Sequence, residues 1–308
     1  MALFTQLAAG RADAATMLLD PKNDLVFQLL LTRAPELARH MTEALLGRRV
    51  ESVQIVDPEP ASEQVDDKRV RFDVRVRVND GTRGDFEMQL GISVGLKPRL
   101  LYYWAYEFTS QLASGEDYTL LKPTFIAMWT PGTLFPEIEE LQAVFELVHR
   151  KRNIRYSEQL QIHVLQLGML HFEPDPKDPL VQWGRFFAAQ TRAEYARLAA
   201  ESPIMDLAKK TLEQISQNPE AARRARHRVA EQYFQREALR ESREAGIAEG
   251  KAEGMREMVR SLLAQRFGAL PVAVRQRLAR ASDAQLTRVG AAVLGAESLE
   301  HAIATLDE

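Results

Sequence analysis

The sequence predicts an α/β domain, a mixed sheet flanked by helices, followed by an all-helical region. Three observations predict it. Apolar residues recur at helical intervals near the start, strict period-two alternation follows, and from about residue 178 the pattern turns almost wholly helical.

Residues 24–46 place Leu25, Phe27, Leu29, Leu30, Leu37, Met41, Leu45 and Leu46 at mostly helical spacing, with Pro35 as a break or the start of a second helix. A short strand is predicted over 52–57. From Arg69 to Val78 one face carries Val70, Phe72, Val74, Val76 and Val78, and the other carries Arg71, Asp73, Arg75 and Arg77. Asn79-Asp80-Gly81 signals a turn, after which Phe86, Met88 and Leu90 alternate with Asp85, Glu87 and Gln89. A helix is predicted over 98–114, with Pro98 near its start, Gly115 beyond its end, and Leu101, Trp104, Phe108 and Leu112 facing the core. Apolar runs at 124–129, 144–148 and 161–167 predict further strands. Helices follow, broken near Pro203, Pro219 and Pro271.

The expected division is an N-terminal extension (1–20), an α/β domain (21–198), a charged helical linker (199–253) and a small helical domain (254–308). Between Pro219 and Met255 the chain is Ala-rich and dense in opposite charges, which suits an exposed helix. Gly246, Gly250 and Gly254 share one face of it, a spacing compatible with close helix contact and self-association.

The composition, 45% hydrophobic and 27% charged, is that of a globular chain, and the formal charge of −3 excludes bulk attraction to nucleic acid without excluding a local basic patch. With no cysteine, disulfides, thiolate metal sites and cysteine nucleophiles are excluded. The start lacks a basic segment followed by a long apolar run, and no stretch has the length of a membrane span; the expectation is a cytoplasmic protein without a membrane partner. The six histidines include no HxH or HExxH pair, and neither a GxSxG elbow nor a Walker A loop is present.

The chemistry-bearing constellation is the hairpin. Asp73 and Glu87 cooperate only if they project from the same side of the sheet, so loop parity decides. A three-residue loop, Asp80-Gly81-Thr82, pairs Asn79 with Arg83 and sets Asp73 opposite Gln89 with Glu87 diagonally adjacent. A two-residue loop puts Glu87 on the valine face, so burial of the valines favours the odd length. Two adjacent carboxylates repel, and a divalent cation with hard oxygen ligands, Mg²⁺ or Mn²⁺, removes that repulsion. The alternative is an ordinary solvated face on which Asp73 pairs with Arg71, Arg75 or a cross-strand cation.

The hairpin, with NDLVFQLLL at 23–31, DDKRVRFDVRV at 66–76, LLYYWAYEFTSQLASGEDYTLLKP at 100–123 and LQIHVLQL at 160–167, resembles the Rpn family of recombination-promoting nucleases and transposases, over residues 20–195. The resemblance implies a PD-(D/E)XK restriction-endonuclease-like core and metal-dependent hydrolysis of DNA phosphodiesters linked to recombination. By it, Asp73 and Glu87 bind Mg²⁺, with Mn²⁺ an alternative, and Gln89, in the place of the motif's lysine, orients water or phosphate. Asp24 completes the metal shell directly or through water, or serves the first helical turn instead. Gln28 stands where a lysine is common in the family, and Gln166 where a glutamate is. Residues 254–306 resemble the small helical DUF4351-type domain.

The expected partners are DNA and a second copy of the chain, assembled through the C-terminal helices. The expected function is a metal-dependent DNA endonuclease. Its rival is a nuclease-fold DNA- or protein-binding protein assembled through the same helices.

Overall fold

A computed structural model describes residues 18–56 and 73–306. The described residues up to Val229 form one compact unit and those from Ala230 a second. Two helices open the first, α1 (Asp24–Arg33) and α2 (Pro35–Leu46), divided at the expected proline. Asn23 caps α1, its side chain accepting from the backbone N–H groups of Leu25 and Val26.

Among the described residues six strands make the main sheet: β1 (Val53–Val56), β2 (Val74–Val78), β3 (Arg83–Met88), β4 (Thr124–Thr130), β5 (Gln142–Phe145) and, after a separate two-stranded ribbon, β8 (Leu160–Gln166). Their order is β1-β2-β3-β4-β8-β5. The β1–β2, β2–β3 and β5–β8 pairs are antiparallel, whereas β3–β4 and β4–β8 are parallel. The ribbon consists of β6 (Val148–His149) and β7 (Ile154–Arg155). Residues 69–72 of the expected long strand lie outside the described residues.

Both faces of the central strands are covered. On one, Val74, Val76, Phe86, Met88, Phe125, Ala127 and Trp129 join α1, α2 and the helices α4 (Pro179–Ala188), α5 (Arg192–Glu201) and α6 (Pro203–Gln217) in a single core. On the other, Ile126, Met128, Ile162 and Val164 pack with Leu96 and Leu100 of α3 (Leu96–Thr109). Coverage from both sides explains why β4 reads as a continuous apolar run rather than an alternating one. Among the described residues seven aromatic side chains, Trp129, Trp183 and Phe187 included, are fully buried, and each contributes on the order of 1.5–3 kcal/mol.

The structure corrects three expectations. The β2–β3 loop is Asn79-Asp80-Gly81, one residue earlier than expected, since Val78 N–H donates to Thr82 O at 2.8 Å. Gly81, at φ 89°, fills the last loop position, where a three-residue hairpin needs the left-handed conformation. The helix ends at Thr109 rather than 114. Its inner face is set by Leu96, Leu100 and Glu107, so Leu101, about 100° further round, is exposed.

The helix α7 (Pro219–Phe267) carries the division between units. In the second unit, α8 (Val272–Arg280), α9 (Asp283–Val293) and α10 (Leu299–Ile303) bury Val274, Leu278, Leu286, Val289 and Ile303 with Val259 and Leu263 of α7. Gly268, at φ 82°, ends α7 in the left-handed conformation that favours glycine. Among the described residues no helix is long and apolar enough to cross a membrane.

Gly84 lies beside Phe125 in the parallel register, and a β-carbon there would come within 2.0–2.5 Å of three carbons of the Phe125 ring. Phe125 in turn meets Phe86 edge-on at 5.7 Å. Gly84→Ala should therefore lower stability by about 1–3 kcal/mol, read as a lower denaturant midpoint at unchanged slope. An unchanged midpoint would mean that the ring has room to move.

Candidate active site on the hairpin

The valines bind β2 to the larger core, which turns its alternate residues toward α3. Arg75 pairs with Asp85 in the antiparallel register, and continuing that register sets Asp73 directly opposite Glu87. The expected parity holds, with every pairing shifted by two: Asp73 faces Glu87, not Gln89. Asp85 and Glu87 also lie in line with Ile126 and Met128 of β4, both of which pack under α3. The sheet thus brings Asp73, Asp85 and Glu87 together on its α3 face.

Two hydrogen bonds fix the pair across the strands. The Met88 N–H donates to Asp73 Oδ2 at 2.8 Å, and the Asp73 N–H donates to Glu87 Oε1 at 3.2 Å. Each acid therefore accepts a backbone proton from the strand opposite, which sets its rotamer before any ligand arrives.

Asp85 is fully buried, and neither of its oxygens receives a hydrogen bond from a protein donor. Its carboxyl touches that of Glu87, so the two can bond only if one holds a proton. Burial, then the charges of Glu87 and Asp73, hold the Asp85 carboxyl well above the usual carboxylate range. Burial and Asp73 push Glu87 up to about 8, opposed by the Asp73 N–H and by Arg99. At neutral pH the Asp85–Glu87 pair therefore holds at least one proton. Sequence reasoning placed Asp85 on this strand face without selecting it as a site residue; its position two residues before Glu87 was the available signal.

Charged groups on α3 frame the cluster. Glu107, buried, sits 3.2 Å from Arg75 and 3.6 Å from Arg83. Of the ion pairs among the described residues, none includes Asp85 or Glu87. Arg99 acts on Glu87 without ion-pair contact, its buried Nε has no hydrogen-bond partner among the described residues, and its guanidinium lies 5.7 Å from the Tyr103 ring. Tyr103 is held protonated by burial and then by the nearby Glu87 charge.

The other candidates fall elsewhere or are engaged differently. Gln89 is half-buried and continues the parallel pairing, its N–H donating to Trp129 O at 2.9 Å. Its amide side chain has no hydrogen-bond partner among the described residues. Asp24 occupies the first turn of α1, accepts from the Leu25 N–H at 2.9 Å, and lies 3.7 Å from Arg228. Gln166 is buried and accepts from the Leu134 and Phe135 N–H groups at 2.8 and 2.7 Å, stapling the loop after β4. Among the described residues no three or more His, Cys, Asp or Glu side chains are arranged to hold a metal ion. The donor chemistry still suits one. Two hard oxygens of Asp85 are orphaned beside Glu87, and Mg²⁺ commonly binds through one or two carboxylates with water completing its shell.

A family model described as PD-(D/E)XK nuclease family transposase matches residues 21–242. The chain belongs to this family. The match includes the hairpin, α3 and the whole main sheet. Within the matched span the hairpin carries Phe72-Asp73 and Glu87-Met88-Gln89. No match was found among curated proteins or among solved structures.

Raised carboxyl pKa values make stability fall as pH rises, because between the unfolded and folded values the native state holds the extra proton. For Glu87 that window runs from its ordinary 4.5 to about 8. In metal-free protein, Glu87→Gln, which stays neutral, should gain on the parent chain as pH increases from 4.5 to 8. The melting-temperature gap should open by about 2–4 °C per kcal/mol. A gap that stays constant with pH would contradict a shared proton.

Proposed function

We propose that this chain is a metal-dependent DNA endonuclease that hydrolyses phosphodiester bonds in the service of recombination. The observation that carries this reading is the buried Asp85 carboxyl, without a protein donor among the described residues, beside Glu87 and Asp73 on the hairpin of a PD-(D/E)XK nuclease fold. Within the family we assign it to the Rpn type, on the stretches quoted above, with a DUF4351-like C-terminal unit that assembles protomers.

Asp73 and Glu87 would hold Mg²⁺ or Mn²⁺, and Asp85 would release the shared proton to make Glu87 a full anion. A bound divalent ion supplies an activated water and a charge that stabilises the phosphate transition state. The Gln89 amide, on the same face, can orient the water or a phosphate oxygen by hydrogen bonding but adds no charge. Arg99 on α3 supplies the positive charge that a motif lysine would otherwise give. Asp24 is assigned to the first turn of α1 and its contact with Arg228, outside the ion's shell.

A second reading, a DNA-binding protein that keeps the fold without efficient cleavage, is favoured by the neutral Gln89 and by the lack of three preassembled ligands among the described residues. Incubating supercoiled plasmid with Mg²⁺ or Mn²⁺ separates the two. The parent chain should nick it, and Asp73→Ala or Glu87→Ala should slow nicking by about 100-fold or more, the scale of losing a positioned catalytic group. Equal nicking by all three removes the site; no nicking by any, with DNA binding intact, leaves the second reading.

A further inference from the structure

The β6–β7 ribbon leaves the sheet from the edge strand β5 and returns to the start of β8. Every residue from Leu147 to Tyr156 is exposed. In those ten residues, LVHRKRNIRY, four are Lys or Arg and none is acidic, in a chain whose formal charge is −3. The tip is a tight turn, with the Arg152 and Asn153 N–H groups donating to His149 O at 3.2 and 2.8 Å and Asn153 in the left-handed region at φ 51°.

The cations divide into two sets. Arg155 is held at the base by Glu146 at 2.9 Å and Glu158 at 3.6 Å. Arg150, Lys151 and Arg152, at the tip, form no ion pair among the described residues. The ribbon also lines a concave surface to which Lys151, Arg152 and Arg155 contribute charge and Leu147, Ile154 and Tyr156 apolar area. Such exposed apolar groups within a cationic ribbon have no role in the unit's own core.

We infer that this ribbon is a duplex-DNA anchor, in which Arg150, Lys151 and Arg152 bind backbone phosphates beyond the bond being cut. It rests on the reading that DNA is the substrate. Phosphate contacts of this kind position a duplex without reading its sequence. The placement permits simultaneous contact. Leu160, where the ribbon rejoins the sheet, is in line with Thr124 and Arg83, four residues along the strand direction from Glu87 and two strands across. At about 3.3 Å per residue and 4.8 Å per strand spacing, Glu87 and the base of the ribbon at Leu160 are roughly 16 Å apart, less than one duplex turn of about 34 Å.

The test is a titration of the full chain against a fluorescently labelled duplex in EDTA, at about 50–200 mM NaCl. Each neutralised phosphate contributes about 0.9 to the slope of log affinity against log salt. The variant Arg150→Gln/Lys151→Gln/Arg152→Gln should have a slope shallower by about 2–3. If the triple variant melts earlier than the parent, Lys151→Gln alone, expected to be shallower by about 1, carries the same test. A parent-like slope in the ribbon variant, or no binding by the parent chain, overturns the anchor. Plasmid nicking keeps the two readings apart. A chain with a ribbon-dependent slope that nicks nothing supports the anchor and sinks the endonuclease; nicking with an unchanged slope does the reverse.

Discussion

Burial of carboxyl groups on the α3 face of β3 is the constraint on which the first unit depends. A lone carboxylate taken out of water costs several kcal/mol even after relaxation, so each buried acid must find a proton, a donor or a cation. Glu107 finds Arg75 and Arg83, and Asp73 finds the Met88 N–H. Asp85 has no protein donor and shares a proton with Glu87. A core built for stability alone would place an apolar residue at position 85, since its row on the sheet continues into Ile126 and Ile162. A buried acid retained in an apolar row costs stability and has the perturbed protonation common at functional sites.

The rest of the fold holds that row in position. The larger core fixes β2 and β3 through Val74, Val76 and Phe86, and the missing side chain of Gly84 lets the Phe125 ring close against them. Parallel pairing with β4 then carries Glu87 under α3, and reciprocal hydrogen bonds across the strands orient Asp73 and Glu87 toward each other. Preorganisation of this kind suits a reaction governed by electrostatics, because the groups need not reorient as charge develops. The cationic ribbon leaves the opposite end of the same sheet, so one rigid element links the acidic cluster to it.

Much of this was legible in the sequence. The valines of β2 gave the face, and the need to bury them gave the loop parity that puts Asp73 and Glu87 together. The register was displaced by two because a three-residue loop can slide along the turn without changing which face is buried. Gly81 settles it by occupying the left-handed last position. Asp85 was harder to read, since an acid on an alternating strand looks solvent-facing until α3 is laid over it. The same helix hid its own phase: Leu100 and Leu101 are both apolar, and packing against Ile126 and Met128 selects Leu100. The ribbon was read as part of a strand over 144–148, because nothing local marks where β5 leaves the sheet.

The central claim is that the hairpin carboxyl cluster exchanges a shared proton for a divalent cation. Calorimetric titration of Mg²⁺ or Mn²⁺ into the full chain at pH 7, in buffers of different ionisation enthalpy, measures that exchange directly. Metal binding to protonated ligands releases protons. The account predicts saturable binding with release of about one proton per ion, lost in Glu87→Ala and reduced in Asp85→Asn. Binding without proton release, or binding that persists unchanged in Glu87→Ala, would contradict it.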